Sequence, residues 1–375
     1  MCTEADQPYL EKPIMNSHTH QLSALGWNKF FELHFQPYAG SDYTSGRVAL
    51  EYKHFYRLYT QWGEVLAEIA GKLRHEAVNR ADLPAVGDWV VIRPRPERDK
   101  VTIHAVLTRR SKFTRKVAGS RTEEQIVGAN IDTVFLVSSL NQDFNPRRIE
   151  RYLTVAWESG ANPVIILSKS DLCDEVEDRI TETQRVAGSV PIHAISIVNQ
   201  EGLKELTRYF LQGQTVALLG SSGVGKSTLI NHLIGRDHLR VQEVREHDGR
   251  GRHTTTHREL ILLPRGGLVL DTPGLRELQL WDGDGGLQLA FGDIEALASR
   301  CYFSDCRHQD EPRCAVREAL AKGVIDAERY LSYEKLQKEL NYLSRKQDIR
   351  AEIVEKKKWK KLTRLASQRA QTKRS

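Results

Sequence analysis

The stretch Gly220-Ser221-Ser222-Gly223-Val224-Gly225-Lys226-Ser227, followed by Thr228, has the residue types and spacing to hold phosphate. It fits G-x-x-x-x-G-K-[ST] in full, directly after an apolar run ending at Leu219. A helical pattern of Leu229, Ile230, Leu233 and Ile234 follows and stops at Gly235. Glycines let such a loop turn its N–H groups onto phosphate oxygens, and the helix N-terminus adds a favourable field. Lys226 is then expected to reach the β- and γ-phosphates, and the Ser227 hydroxyl to ligate Mg²⁺. The bland reading, a Gly/Ser turn beside a surface lysine, leaves the flanking strand and helix unexplained. Forty-five residues after Lys226, Leu268-Val269-Leu270 runs into Asp271-Thr272-Pro273-Gly274. An aspartate ending a buried strand can hold the hydration shell of Mg²⁺, and the Gly274 N–H can contact a γ-phosphate.

Base choice rests on Ser168-Lys169-Ser170-Asp171, after the apolar run Val164–Leu167. A carboxylate there can accept from two N–H groups on the Watson–Crick edge of guanine, and adenine offers no matching pair of donors. The lysine stem can cover the face of the base. GTPases carry Asn-Lys-x-Asp at this loop, and here Ser168 stands in place of Asn. The shorter serine is expected to brace the loop less, which keeps an ATPase acting on RNA as an alternative. Ser196, ending the next strand-like run, is a second base-loop candidate.

A third constellation is Cys301-x₄-Cys306-x-His308-x₅-Cys314. Three thiolates and one imidazole complete a tetrahedron around Zn²⁺, with no open position for a substrate. Such a site staples a small domain that cannot bury enough apolar surface unaided. Free buried cysteines are the competing reading. Cys2 and Cys173 stand alone, and five cysteines in all make no disulfide framework.

These residues need elements to position them. The chain has 375 residues, enough for two or three domains at about 150 each. Its 40% hydrophobic and 28% charged content argues against wholesale disorder. No apolar run approaches the roughly 18 residues needed to cross a bilayer, and the acidic start is not a secretory signal. A cytoplasmic protein with no membrane contact is the expectation. The first 45 residues lack clear periodicity and read as a loose leader. From Gly46, five short alternating runs (47–51, 55–59, 64–69, 88–92 and 101–106) predict a small β-barrel, an OB-fold or an SH3-like barrel. Apolar runs at 134–137, 164–167, 192–195, 216–219, 260–263 and 268–270 then alternate with helical segments, an α/β layer fold. One such helix, from about Pro146 to Gly160, is expected to turn Arg147, Arg148 and Arg151 outward.

The order of the motifs is unusual. In ordinary GTPases the phosphate loop precedes the guanine loop, whereas here Lys169 and Asp171 come more than fifty residues before Lys226. This rotation, together with Gly251-Arg252-His253-Thr254-Thr255 and the Cys/His spacing, resembles the circularly permuted, ribosome-small-subunit-dependent GTPases of the RsgA type over roughly residues 46–345. The resemblance implies a multidomain chain with an OB-fold barrel at 46–118 and a circularly permuted α/β P-loop GTPase domain at 119–294. A mainly α-helical zinc-binding domain at 295–345 and a basic tail at 346–375 complete it. It also implies binding to the small ribosomal subunit and its rRNA, late in subunit maturation, by a monomer that cycles between GTP and GDP.

For hydrolysis, Thr255 is the expected switch threonine that completes the Mg²⁺ shell, with Thr254 and Thr256 as competitors. Leu275 follows Gly274 where many GTPases place a water-orienting glutamine, so the free enzyme is expected to turn over slowly. By the family's pattern, His253 takes up that role when the partner orders its loop; a solvent-facing loop histidine is the alternative. The formal net charge of +6 is concentrated at one end, since residues 345–375 hold twelve Lys/Arg and three Asp/Glu. Lys356, Lys357, Lys358, Lys360, Lys361 and Arg364 with Trp359 suit phosphate neutralisation and base stacking. Arg110, Lys112, Arg115 and Lys116 form a second basic surface. An RNA-binding module with nucleotide as a structural ligand is the remaining alternative.

Overall fold

In the computed structural model, the described residues are 21–94, 100–116, 124–235, 258–264, 266–271 and 284–345. Strands β1 (Thr44–Glu51), β2 (Tyr56–Thr60), β3 (Gly63–Ile69), β4 (Trp89–Arg93) and β5 (Lys100–Val106) form the barrel. Their order is β1-β2-β3-β5-β4, and β4 closes back on β1. The parallel β3–β5 pair in that closed order is OB-like and decides against an SH3-like barrel. Alternate residues point inward, so Val48, Leu58, Ala67, Val90, Ile92 and Ile103 fill the interior.

Residues 21–43, the described part of the chain before β1, are packed rather than loose. Asn28 caps helix α1 (Lys29–Phe35) by accepting from the Phe30 amide at 3.0 Å. Trp27, Phe31 and Phe35 recur every four residues and so share one face. Trp27 and Phe31 lie 4.8 and 5.8 Å, ring centre to ring centre, from buried Trp89 of β4. Three aromatics over nine residues are too short a pattern to register as periodicity, yet they cover the barrel wall.

Beyond the barrel come helix α2 (Gly71–Glu76), between β3 and β4, and a hairpin of β6 (Lys112–Lys116) and β7 (Glu124–Ala129). The basic stretch at 109–116 is thus partly strand. The remaining strands are β8 (Thr133–Ser139), β9 (Asn162–Ser168), β10 (Ile192–Ile195), β11 (Thr215–Leu219), β12 (Glu259–Leu262) and β13 (Leu268–Asp271). They lie in the order β10-β9-β8-β11-β13-β12, all parallel except β12. The antiparallel β12 also pairs with β1 through Leu50 and Glu259, so one sheet runs from the GTPase-like layer into the barrel.

Helices α3 (Pro146–Ser159), α4 (Val176–Ala187), α5 (Leu203–Leu206) and α6 (Lys226–Ile234) cover this sheet. Phe135 and Val137 of β8 face Leu206, Leu229 and Ile230, whereas Val134 and Leu136 face the side of Ile149, Leu153 and Val186. Both faces are buried, which is why these strands read as continuous apolar runs. Helices α7 (Asp284–Ala290), α8 (Gly292–Ala298), α9 (Ala315–Ala321) and α10 (327–345) complete the described chain. The arginines of α3 do not face open solvent as expected. Arg147 pairs with Glu150 and Asp326, Arg148 with Asp143, and Arg151 with Glu339.

Arg47 joins the packed N-terminal segment, the barrel and the α/β layer. It is 1% exposed and lies over the Trp89 ring. Its guanidinium donates to Leu25 O, to Gly87 O at 3.3 Å, to Asn130 O at 3.0 Å and to Thr215 Oγ1 at 2.8 Å. Burial lowers its pKa to about 10, against the pull of Asp132 and Asp88, so it stays charged at neutral pH. Arg47→Leu keeps bulk but strips the partners from these acceptors, and is expected to cost about 3 kcal/mol. Urea unfolding followed by tryptophan fluorescence checks this, and an unchanged midpoint would contradict it.

Candidate functional site

Three parallel strands, β9, β8 and β11, end at one edge of the sheet and set out the site. Leu219 pairs with Leu136 and Ser168 with Ser139, so the loops after β9 and β11 leave on the same side. With one strand between them, they start about 10 Å apart.

The phosphate loop follows β11, whose five residues are all buried. Gly220 is required by a close approach, since a Cβ there would sit 2.3 Å from the Val137 carbonyl oxygen of β8. Gly225, at φ 96°, turns the chain into α6 in a left-handed conformation that disfavours side chains. Val224 is buried and pins the loop, Ser222 and Gly223 are exposed, and Lys226, Ser227 and Thr228 are half-buried in the first turn of α6. Lys226 Nζ donates to the carbonyls of Gly220 at 2.8 Å and Ser221 at 2.5 Å. The ammonium therefore rests inside the loop's own curve, where an incoming phosphate can take it over.

The guanine loop meets the phosphate loop directly. Ser168, 3% exposed, donates from Oγ to Val224 O at 2.7 Å. The serine does make one bracing contact here, because β9 ends within reach of the neighbouring loop. Lys169 takes a left-handed conformation, φ 59°, and Ser170 opens a 3-10 turn through Leu172. Asp171 is exposed, and its Oδ1 accepts from Ser196 Oγ at 2.5 Å. Ser196 in turn accepts from the Asn199 amide at 3.0 Å. The structure thus brings Ser168, Asp171 and Ser196 together around one loop.

Asp271 ends β13, opposite Glu259 of β12. Burial, with a lesser contribution from Glu259, raises its pKa to about 6, and Lys226 pulls it the other way. A divalent cation would reverse that rise by favouring the charged carboxylate. His253, Thr255 and its competitors, Gly274 and Leu275 lie outside the described residues, as does the tail from 346.

Two further contacts to the loop were not foreseen in the sequence. Arg148 Nη1 donates to Ser221 Oγ at 2.9 Å, and Tyr152 OH lies 3.4 Å from the same atom. Their spacing of four on α3 was the available signal.

The cysteine cluster sits between α8 and α9. The ligand atoms of Cys301, Cys306, His308 and Cys314 all lie within 4.8 Å of one another, a set that could hold one metal ion. Sγ of Cys301 is 3.8 Å from that of Cys314, and His308 Nδ1 is 3.6 and 3.4 Å from the two. Metal–sulfur bonds of about 2.3 Å and metal–nitrogen bonds of about 2.0 Å at tetrahedral angles give edges of about 3.8 and 3.5 Å. The donor set fits.

Fold and site define a P-loop GTPase domain of circularly permuted strand order, preceded by an OB-like barrel and followed by a helical region with a Cys/His cluster. The family model described as RsgA GTPase matches residues 106–281, and one described as a 50S ribosome-binding GTPase matches residues 215–357. The chain is 48% identical over 350 residues to the small ribosomal subunit biogenesis GTPase RsgA of Opitutus terrae, covering 91% of this chain and 95% of that one. Over 327 residues it is 48% identical to RsgA 1 of Oceanobacillus iheyensis, covering 87% and 93%. The crystal structure of YjeQ from Thermotoga maritima superposes with a TM-score of 0.60 at 29% identity, covering 80% of this chain and 98% of that one. YloQ, described as a circularly permuted GTPase, shares the fold with a TM-score of 0.58 at 23% identity, over 80% and 95%. The chain belongs to the RsgA GTPase family.

Ser168→Ala removes the bridge between the two loops and leaves the Val224 carbonyl without that donor. A loss of about 1 kcal/mol, or roughly fivefold in guanine-nucleotide affinity, is expected by calorimetric titration. Unchanged affinity would show that the bridge does not organise the site.

Proposed function

We propose that this chain is a GTPase that binds the small ribosomal subunit through its rRNA and acts late in that subunit's maturation. As a monomer it hydrolyses GTP slowly alone and faster on the subunit. The observation that supports the nucleotide reading most is the Ser168–Val224 contact, which joins the loop carrying Asp171 to the phosphate loop. The ribosomal partner is supported by the names of the relatives, small ribosomal subunit biogenesis GTPases.

On this reading Asp171 accepts from guanine while Ser196 holds its other oxygen, and the Lys169 stem covers the base. The amides of 220–225 and the Lys226 ammonium take the phosphates. Ser227 and Asp271, with Thr255 from the switch, would hold Mg²⁺, which supplies charge neutralisation at the β- and γ-phosphates. With Leu275 unable to orient water, the proposal gives that task to His253 once the subunit orders its loop. Cys301, Cys306, His308 and Cys314 would hold a structural Zn²⁺ that fixes the chain between α8 and α9.

The test compares phosphate release from GTP and from ATP, with no addition, with small subunits and with large subunits. Strong stimulation of GTP turnover by small subunits alone is expected. Equal rates in all arms would refute partner ordering, and stimulation by large subunits alone would move the partner. His253→Ala is expected to lose the stimulation at near-normal GTP affinity.

Elemental analysis is expected to find about one zinc per chain. Cys306→Ala is expected to release it and lower the melting temperature of the C-terminal region. Full retention of zinc by that variant would remove Cys306 from the donor set.

A further inference from the structure

Helix α3 touches two distant parts of the molecule with two pairs of side chains. Arg148 and Tyr152, four apart, end on the phosphate loop at Ser221, and Arg148 also holds Asp143 Oδ2 at 2.7 Å. Arg147 and Arg151, also four apart, end on the C-terminal segment. Arg151 grips Glu339 of α10 with both nitrogens, at 2.7 and 2.8 Å, and Arg147 reaches Asp326 at 3.1 Å. Between them Glu150, fully buried, accepts at Oε1 from Arg147 at 2.8 Å and from Arg329 of α10 at 2.7 Å. Arg329 also donates to Asp293 of α8 at 2.8 and 3.0 Å. Sliding α10 along α3 would leave a charge uncovered in the interior, so the two helices are held in one register.

We propose that α3 is a rigid lever through which the C-terminal helix sets the phosphate loop, with Arg148 as the positioning residue at the loop end. Binding phosphate requires the loop amides to be already aimed, and Ser221 is the second residue of that loop. Arg148 Nη1 alone serves both Asp143 Oδ2 and Ser221 Oγ, so the ion pair with Asp143 fixes the donor that meets the loop. Because α3 stays packed on the sheet through Ile149 and Leu153, loosening α10 acts as a small shift of α3 that Arg148 passes to Ser221. By linkage, nucleotide in the loop must tighten α10 to the same extent. The inference rests on the guanine-nucleotide reading of the site and is independent of the ribosomal partner.

The test uses the full chain without ribosomes and reads the affinity and dissociation rate of a fluorescent GDP analogue. Arg151→Glu and Glu339→Arg each reverse one half of a partly exposed pair that lies outside the phosphate and guanine loops. Each is expected to weaken binding about fivefold, within the range seen for couplings of this kind. The double exchange, R151E/E339R, is expected to restore it to within about twofold. Arg148→Ala is expected to weaken binding similarly, and to add little when combined with Arg151→Glu. Amide exchange across 327–345 is expected to slow when GDP is added to the unaltered chain. Single exchanges that leave affinity unchanged, or a double exchange that adds the losses, would overturn the proposal. Melting curves separate a variant that fails to fold, and the double exchange keeps the test decisive in that event. An unaltered chain that binds no GDP would refute the functional reading instead.

Discussion

A hydroxyl and a carbonyl 2.7 Å apart define this nucleotide site. Ser168 and Val224 belong to loops separated by more than fifty residues of sequence, yet they touch because β9, β8 and β11 run parallel and end together. The chain can begin and end elsewhere on the sheet without disturbing that edge. A permuted order of motifs is tolerated because the ligand is read by the ends of strands, and strand ends do not record the path between them. What must be preserved is the level at which β9 and β11 stop.

Much of this architecture was legible in the sequence. Strands buried on both faces produce unbroken apolar runs, so β8, β9, β11 and β13 stood out, and the barrel strands showed their alternation. The phosphate loop and the cysteine spacing were explicit because each uses several residue types with few substitutes. The N-terminal segment was hidden, because Trp27, Phe31 and Phe35 span too few turns to form a period. The arginines of α3 were misjudged for a different reason. Their partners, Glu339, Asp326 and Asp143, come from scattered parts of the chain, and no local pattern announces a pairing that tertiary packing creates. The partner of Ser168 was not legible because it is a carbonyl fifty-six residues away.

Arg47 shows how the N-terminal segment, the barrel and the α/β layer are fused. It is a charge in the interior whose donors are spent on backbone oxygens of Leu25, Gly87 and Asn130 and on the Thr215 hydroxyl. Aliphatic residues would have sealed the same space without fixing orientation. The directional bonds of a guanidinium instead specify how the pieces meet, and the Trp89 ring beneath it closes off water.

Strand β12 gives the molecule a mechanical character that neither module has alone. It lies between β13 and β1, and its Glu259 faces Asp271 on one side and accepts from Arg57 of the barrel on the other. Tyr59 OH, also from the barrel, donates to Leu260 O at 3.0 Å. One backbone pair and these two side-chain bonds tie the barrel to β12, so a push on the barrel reaches β13 through them and the β12–β13 ladder. Beyond Glu259, the next acidic group on that path is the carboxylate at the tip of β13.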